Sequence, residues 1–114
     1  MIASTPKPPY YAVIFTSIQS NDSDGYAATA AHMVSLAAQQ PGFLGIESAR
    51  EEVGITVSYW SSLEAIRAWK SHADHLTAQR QGRNAWYSAY HTRIARVERD
   101  YHFDATPGED AAVE

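Results

Sequence analysis

His72 and His75 lie three residues apart, and Trp69 stands three residues before the first of them, a spacing that a helix would bring to one side. Imidazole titrates near neutrality, so such a pair can move a proton to or from a phenolic substrate or a bound oxygen species. Trp69, Trp60, Tyr59, Phe15 and Trp86 can wall a flat apolar cavity suited to a ring, and Thr16 or Ser17 can hydrogen-bond a developing oxyanion. Each residue also has a plainer role open to it. Aromatic side chains commonly pack in a core, His72 can bond a loop, and His75 can sit in water.

The rest of the composition narrows the chemistry. Nine Lys plus Arg against thirteen Asp plus Glu give a net charge of −4, which supplies no basic field for nucleic acid. Without cysteine, disulfides, thiolate metal sites and cysteine nucleophiles are excluded. The remaining histidines, His32, His91 and His102, fall on segments whose facing the sequence leaves open, so no metal site is expected. There is no P-loop, dinucleotide fingerprint or serine elbow. Met1 and Ile2 lead into Pro6, Pro8 and Pro9 rather than into an apolar core, and no run is long enough to span a bilayer. The expected location is cytoplasmic, with no membrane partner.

The elements that must position these residues follow from patterning in a chain of 114 residues, the size of a single domain. Residues 1–9 and the acidic stretch 104–114 read as a flexible arm and tail around a domain over 10–103. Tyr10 to Gln19 is dense in aromatic and β-branched residues and reads as a strand. Asn21, Asp22, Ser23 and Asp24 supply N-cap oxygens for a helix with an apolar stripe of Tyr26, Ala30, Met33, Val34 and Ala37, ended by Pro41-Gly42 after Gln40. Phe43–Arg50 and Gly54–Trp60 form a hairpin, with Gly54 free to take positive φ. Ser61-Ser62-Leu63-Glu64 is a capping box opening a second helix with a Leu63, Ile66, Trp69 stripe; a further box-like Ser71-His72-Ala73-Asp74 predicts a break or kink before Arg80. Gly82 suits the position after the helix, Asn84–Ser88 a short turn, and Tyr90–Phe103 a last strand.

The order β-α-β-β-α-β predicts an α+β domain of ferredoxin-like type, with a four-stranded antiparallel sheet and both helices on one face. The bare face should then be polar, yet the first strand places Val13 and Phe15 on one side and Ile14 and Ile18 on the other. Leaving such side chains wet forgoes about 1.5–3 kcal/mol each. With no third layer in the chain, a second copy is the expected cover, giving a homodimeric barrel.

Gln40-Pro41-Gly42-Phe43-Leu44-Gly45, Tyr59-Trp60-Ser61-Ser62-Leu63-Glu64-Ala65, Trp69-Lys70-Ser71-His72 and Trp86-Tyr87-Ser88-Ala89-Tyr90 together resemble the antibiotic-biosynthesis monooxygenase domains, over about Tyr10 to Phe103. The resemblance implies the same homodimeric ferredoxin-like barrel. It also implies a mixed set of activities: some members oxidise polyketide-type aromatics with dioxygen and no metal or flavin, and others bind haem and open its ring. The haem site of such members takes an Asn on the first strand, a Trp in the second helical region and a His about ten residues later. Trp69 matches that Trp, but Gln79 stands at the His position and the first strand offers Thr16 or Ser17 in place of Asn.

The leading expectation is a small monooxygenase-like enzyme acting on an aromatic, quinone-type or polyketide-like molecule with dioxygen, the substrate supplying the electrons. His72 or His75 would assist proton removal, Trp69 and Tyr59 would confine the ring with Phe15 and Trp86, and Thr16 or Ser17 would bond the oxyanion. A haem-binding, haem-degrading enzyme and a non-catalytic ligand-binding dimer are the alternatives.

Overall fold

Aromatic and β-branched side chains extend Tyr10–Gln19 as β1, and in the computed structural model, which describes residues 1–21, 25–79 and 86–105, this strand lies inside a four-stranded antiparallel sheet. α1 (Tyr26–Ala37), β2 (Phe43–Arg50), β3 (Gly54–Trp60), α2 (Leu63–Gln79) and β4 (Tyr87–Val97) follow in the chain. The spatial order β2-β3-β1-β4 makes this the ferredoxin-like βαββαβ fold. Tyr11 opposes Trp60 and Arg96, Val13 opposes Ser58 and Ile94, and Ser17 opposes Gly54 and Tyr90. Opposed residues share a face, so the odd-numbered residues of β1 point one way and the even-numbered ones the other.

The odd-numbered face carries the helices. Trp60, with none of its surface exposed, forms the core with Ala37 of α1 and Ile66 of α2, and Tyr11, Val13, Phe43, Ala65 and Trp69 pack around it. Its indole N–H donates to the Ser58 hydroxyl at 2.9 Å, so the ring is buried without an orphaned donor. Phe43 meets it edge-on at 5.4 Å and Trp69 stacks on it at 6.3 Å. In α1 the inward stripe runs through Tyr26, Ala30, Met33 and Ala37, whereas Val34, expected on it, is exposed and Leu36 is half-buried instead. Leu63 is likewise exposed, because it occupies the first turn of α2 where the helix has not yet reached the sheet.

The even-numbered face is covered at one end by the chain itself. The backbone N–H of Ala3 donates to Glu47 at 2.8 Å, the Thr5 hydroxyl donates to the Tyr10 phenol at 2.9 Å, and Tyr10 donates to Asp100 at 2.5 Å. Tyr10 and Ala12 are only 4% exposed as a result. The arm therefore supplies part of the third layer that the sequence was expected to lack. Beyond it, Ile18 and Ile55 remain about half exposed at 46% and 45%.

Helix ends and turns differ from expectation for local reasons. α1 is preceded by Gly25 in the left-handed region, with no side-chain cap; Asp22–Asp24 lie outside the described residues, as do Gly82, residues 80–85 and most of the acidic tail. α1 ends at Ala37, three residues early, and turn hydrogen bonds carry the chain through Gln40 to Gly42. Ser62, not Ser61, caps α2, its hydroxyl accepting the Ala65 N–H at 3.1 Å. No break occurs at Ser71–Asp74, because the Lys70–Asp74 pair at 2.8 Å is an ordinary one-turn helical contact. β4 starts at Tyr87, which pairs with Gln19 across a register shift, and stops at Val97, opposite Tyr10 where β1 begins. Gly54 does not take positive φ, a conformation found among the described glycines only at Gly25 and Gly42.

Gly42 combines φ of 86° with a tight seat, where an added Cβ would lie 2.6 Å from the Ala65 Cβ and 2.8 Å from the Ser61 hydroxyl. Gly42→Ala is expected to destabilise the fold by about 2 kcal/mol or more, from left-handed strain plus the clash. Urea unfolding would check this: a midpoint equal to that of the parent chain would mean the turn relaxes freely.

Candidate functional site

The helix-bearing face gathers most of the residues that chemistry singles out, in two groups. At the Trp60 end, α2 presents Trp69, half-buried on Trp60, with the His72 ring 5.7 Å from it. His72 is exposed on its outer side, and His75, one turn on, is also exposed. The side chain of Gln79 lies outside the described residues.

At the other end of β1, Phe15 meets Tyr87 at 5.3 Å and Tyr90 at 5.4 Å, and Tyr26 meets Tyr87 at 5.6 Å and Trp86 at 6.3 Å. The Tyr87 hydroxyl donates to that of Tyr26 at 3.3 Å. Burial foremost, then this bond, pushes the Tyr87 phenol well above the ordinary tyrosine range, while Arg50 pulls it the other way. Ser17, 2% exposed, accepts a hydrogen bond from Arg50 Nη2 at 2.5 Å.

The sheet divides the remaining candidates from these. Tyr59 opposes Ala12 and Thr16 opposes Ile55, so both project from the even-numbered face. Tyr59 donates to Glu47 Oε1 at 2.5 Å and meets the Tyr10 ring edge-on at 5.7 Å. Within one chain, then, Trp69, Phe15, Ser17 and Trp86 share a side of the sheet that Thr16 and Tyr59 do not. Gln40, Pro41, Gly42, Ser61, Ser62 and Ala65 line a separate open cleft of about 330 Å³ that contains none of the candidates.

Arg50, Tyr26 and Tyr87 were not among the residues selected from sequence. The hairpin pairs Arg50 with Gly54, but the path of the Arg50 side chain across that glycine to Ser17 has no signal in the sequence.

The chain belongs to the antibiotic biosynthesis monooxygenase family, whose model matches residues 9–81. It is 55% identical over 100 residues to the uncharacterized protein YqjZ of Bacillus subtilis, with 86% of this chain and 88% of that one covered. Among solved structures it resembles PA3566 from Pseudomonas aeruginosa, at a TM-score of 0.62 and 12% identity over 82% of this chain and 97% of that one. It also resembles SnoaB from Streptomyces nogalater, a cofactor-independent oxygenase, at a TM-score of 0.59 and 16% identity over 88% and 99% of the two chains. At these identities the structural likeness bears on the fold.

The Tyr59–Glu47 pair gives the even-numbered face a definite pH response. Burial and the bond to Glu47 raise the Tyr59 phenol from 10.0 to about 12, and the bonds from Tyr59 and the Ala3 N–H lower the Glu47 carboxyl from 4.5. The phenol contribution is whole below pH 10 and is lost as pH rises towards 12, because the unfolded chain ionises first; the carboxylate contribution is whole above pH 4.5 and is lost as pH falls below it. Glu47→Gln is expected to flatten the acid limb of a stability-against-pH curve and to speed proteolysis of residues 1–9. Urea midpoints across the range, with limited digestion at pH 7, would check both.

Proposed function

We propose that the protein is a cofactor-independent monooxygenase acting on a small hydroxylated aromatic, quinone-type or polyketide-like molecule with dioxygen. Family membership supports small-molecule monooxygenation. The observation that carries the finer reading is the placement of His72 against Trp69 on the helix side of the sheet, which sets a proton acceptor beside a flat aromatic wall. For a phenol, the balanced reaction is ArH–OH plus O₂ giving the quinone plus water: one oxygen atom enters the ring and the other leaves as water. The ring surrenders four electrons, so no external reductant is needed.

His72 takes the phenolic proton, because the resulting anion donates an electron to dioxygen far more readily than the neutral phenol. Trp69 holds the ring by its face. His75, farther from Trp69 along the helix, is exposed and assists proton exchange with solvent. The exposed Ile18 and Ile55 favour a homodimer in which a second copy covers the open part of the sheet face, where Thr16 would line the enclosed space.

Oxygen uptake by the purified protein with a panel of naphthols and hydroquinones tests the reading. One ¹⁸O atom from labelled dioxygen is expected in the quinone product, and His72→Ala is expected to lower kcat by about a hundredfold. No uptake with any member of the panel would remove the enzymatic reading in favour of a binding dimer, and full activity in the variant would remove His72 as the base.

A further inference from the structure

Arg50 is the last residue of β2 and is paired with Gly54, which in turn opposes Ser17 on β1. The guanidinium lies flat across the glycine: a Cβ at position 54 would fall 2.1 Å from Nη2 and 2.2 Å from Cζ. Gly54 thus opens a channel that leads the cation two strands inward from the sheet edge. There Nη2 donates to the buried Ser17 hydroxyl, and Cζ stands 5.7 Å over the Tyr26 ring. Nη1 is buried with no hydrogen-bond partner.

A buried donor on a charged group left unpaired costs more than an ordinary lost hydrogen bond, so Nη1 calls for an acceptor, whether water, an ion or a ligand oxygen. Tyr26 lies under the guanidinium, and its ring belongs to a cluster in which it meets Tyr87 and Trp86, and Tyr87 meets Phe15. Neither described ion pair of the chain involves Arg50. A guanidinium presents its N–H groups in a plane that matches a carboxylate or a chelating pair of oxygens, and aromatic walls accept a flat ring edge or face. The two requirements meet in one class of ligand.

We propose that Arg50 anchors the anionic oxygen of an aromatic acid or acidic phenol, bound as its anion with the ring among Tyr26, Phe15 and Tyr87. The site lies at the opposite end of β1 from Trp69 and His72, so binding there does not depend on the turnover proposed above. Ser17 holds the guanidinium in place, and Gly54 leaves room for it.

The test measures binding of 1-hydroxy-2-naphthoate and of its uncharged methyl ester, by quenching of tryptophan fluorescence in oxygen-free buffer, to the full chain. The acid is expected to bind about 10- to 100-fold more tightly than the ester, the worth of a charged hydrogen-bonding pair. Arg50→Gln is expected to bring the acid to the level of the ester, and Gly54→Ala, which keeps the charge but displaces it, is expected to do the same. Arg50→Lys should recover part of the preference. Equal binding of acid and ester by the parent chain, binding of neither, or an undiminished preference in Arg50→Gln would overturn the proposal, and the parent comparison stands even where a variant fails to fold. Uptake with the panel but equal binding of acid and ester would sink this site while sparing the monooxygenase reading; preferential acid binding without uptake would do the reverse.

Discussion

Trp60 is where the two layers of this protein are joined. It ends β3, lies opposite Tyr11 of β1 and Phe43 of β2, and is touched by Ala37 from one helix and Ile66 from the other. Removing an indole of this size from water contributes roughly 4–6 kcal/mol of transfer free energy, comparable to the net stability of many small domains. Trp69 stacks on its far side, and the His72 ring contacts Trp69 in turn. The position of the proposed base is therefore set through two indoles by the core itself. A helix pinned through this stack cannot roll without opening the interior, which gives His72 a fixed direction although its own surface is exposed.

The sheet has two unlike faces, and its twofold side-chain alternation decides what can cooperate. One register step separates Ser17 from Thr16, yet Ser17 bonds Arg50 beneath the aromatic rings while Thr16 projects from the opposite face beside Ile55. The even-numbered face is partly occupied by residues 3–5, held through Glu47 and Tyr10. This changes the meaning of the apolar first strand. Its double-sided greasiness is answered in part by the chain's own arm at the Tyr10 end, while Ile18 and Ile55 at the other end stay exposed.

Much of the fold was legible from the residues. Tyr10–Gln19, Phe43–Arg50 and Gly54–Trp60 have the bounds that their β-branched and aromatic content indicates, and the strand–helix order determines the ferredoxin-like topology. Helix ends were less legible because they depend on single hydrogen bonds: a doubled serine makes two registers of the same cap equally plausible, and only the Ala65 N–H, bonded to Ser62, distinguishes them. The arm was missed because Pro-rich polar sequence carries no periodicity to show that it lies on a sheet. Of the candidate residues, the contact between Trp69 and His72 was legible through helical spacing. Arg50 was not, since its role depends on a glycine across the hairpin and a serine on a third strand, a relation that exists only once β2, β3 and β1 are placed side by side.

The two ends of the helix side differ in the charge they present. An anion held in a poorly hydrated space is penalised by low dielectric, so a site for one needs a cation beside it. His72, exposed to solvent on its outer side, stands at one end, and the Arg50 guanidinium, held over Gly54, stands at the other. Because Ser17 and the absent Cβ of Gly54 already fix the guanidinium, little conformational entropy is left to lose when an anion arrives. At the Arg50 end, Phe15 meets Tyr87 and Tyr90. An anion settling there would meet one fixed cation and several π faces, and the cation decides its orientation, because the faces attract the flat ring but repel the negative oxygen.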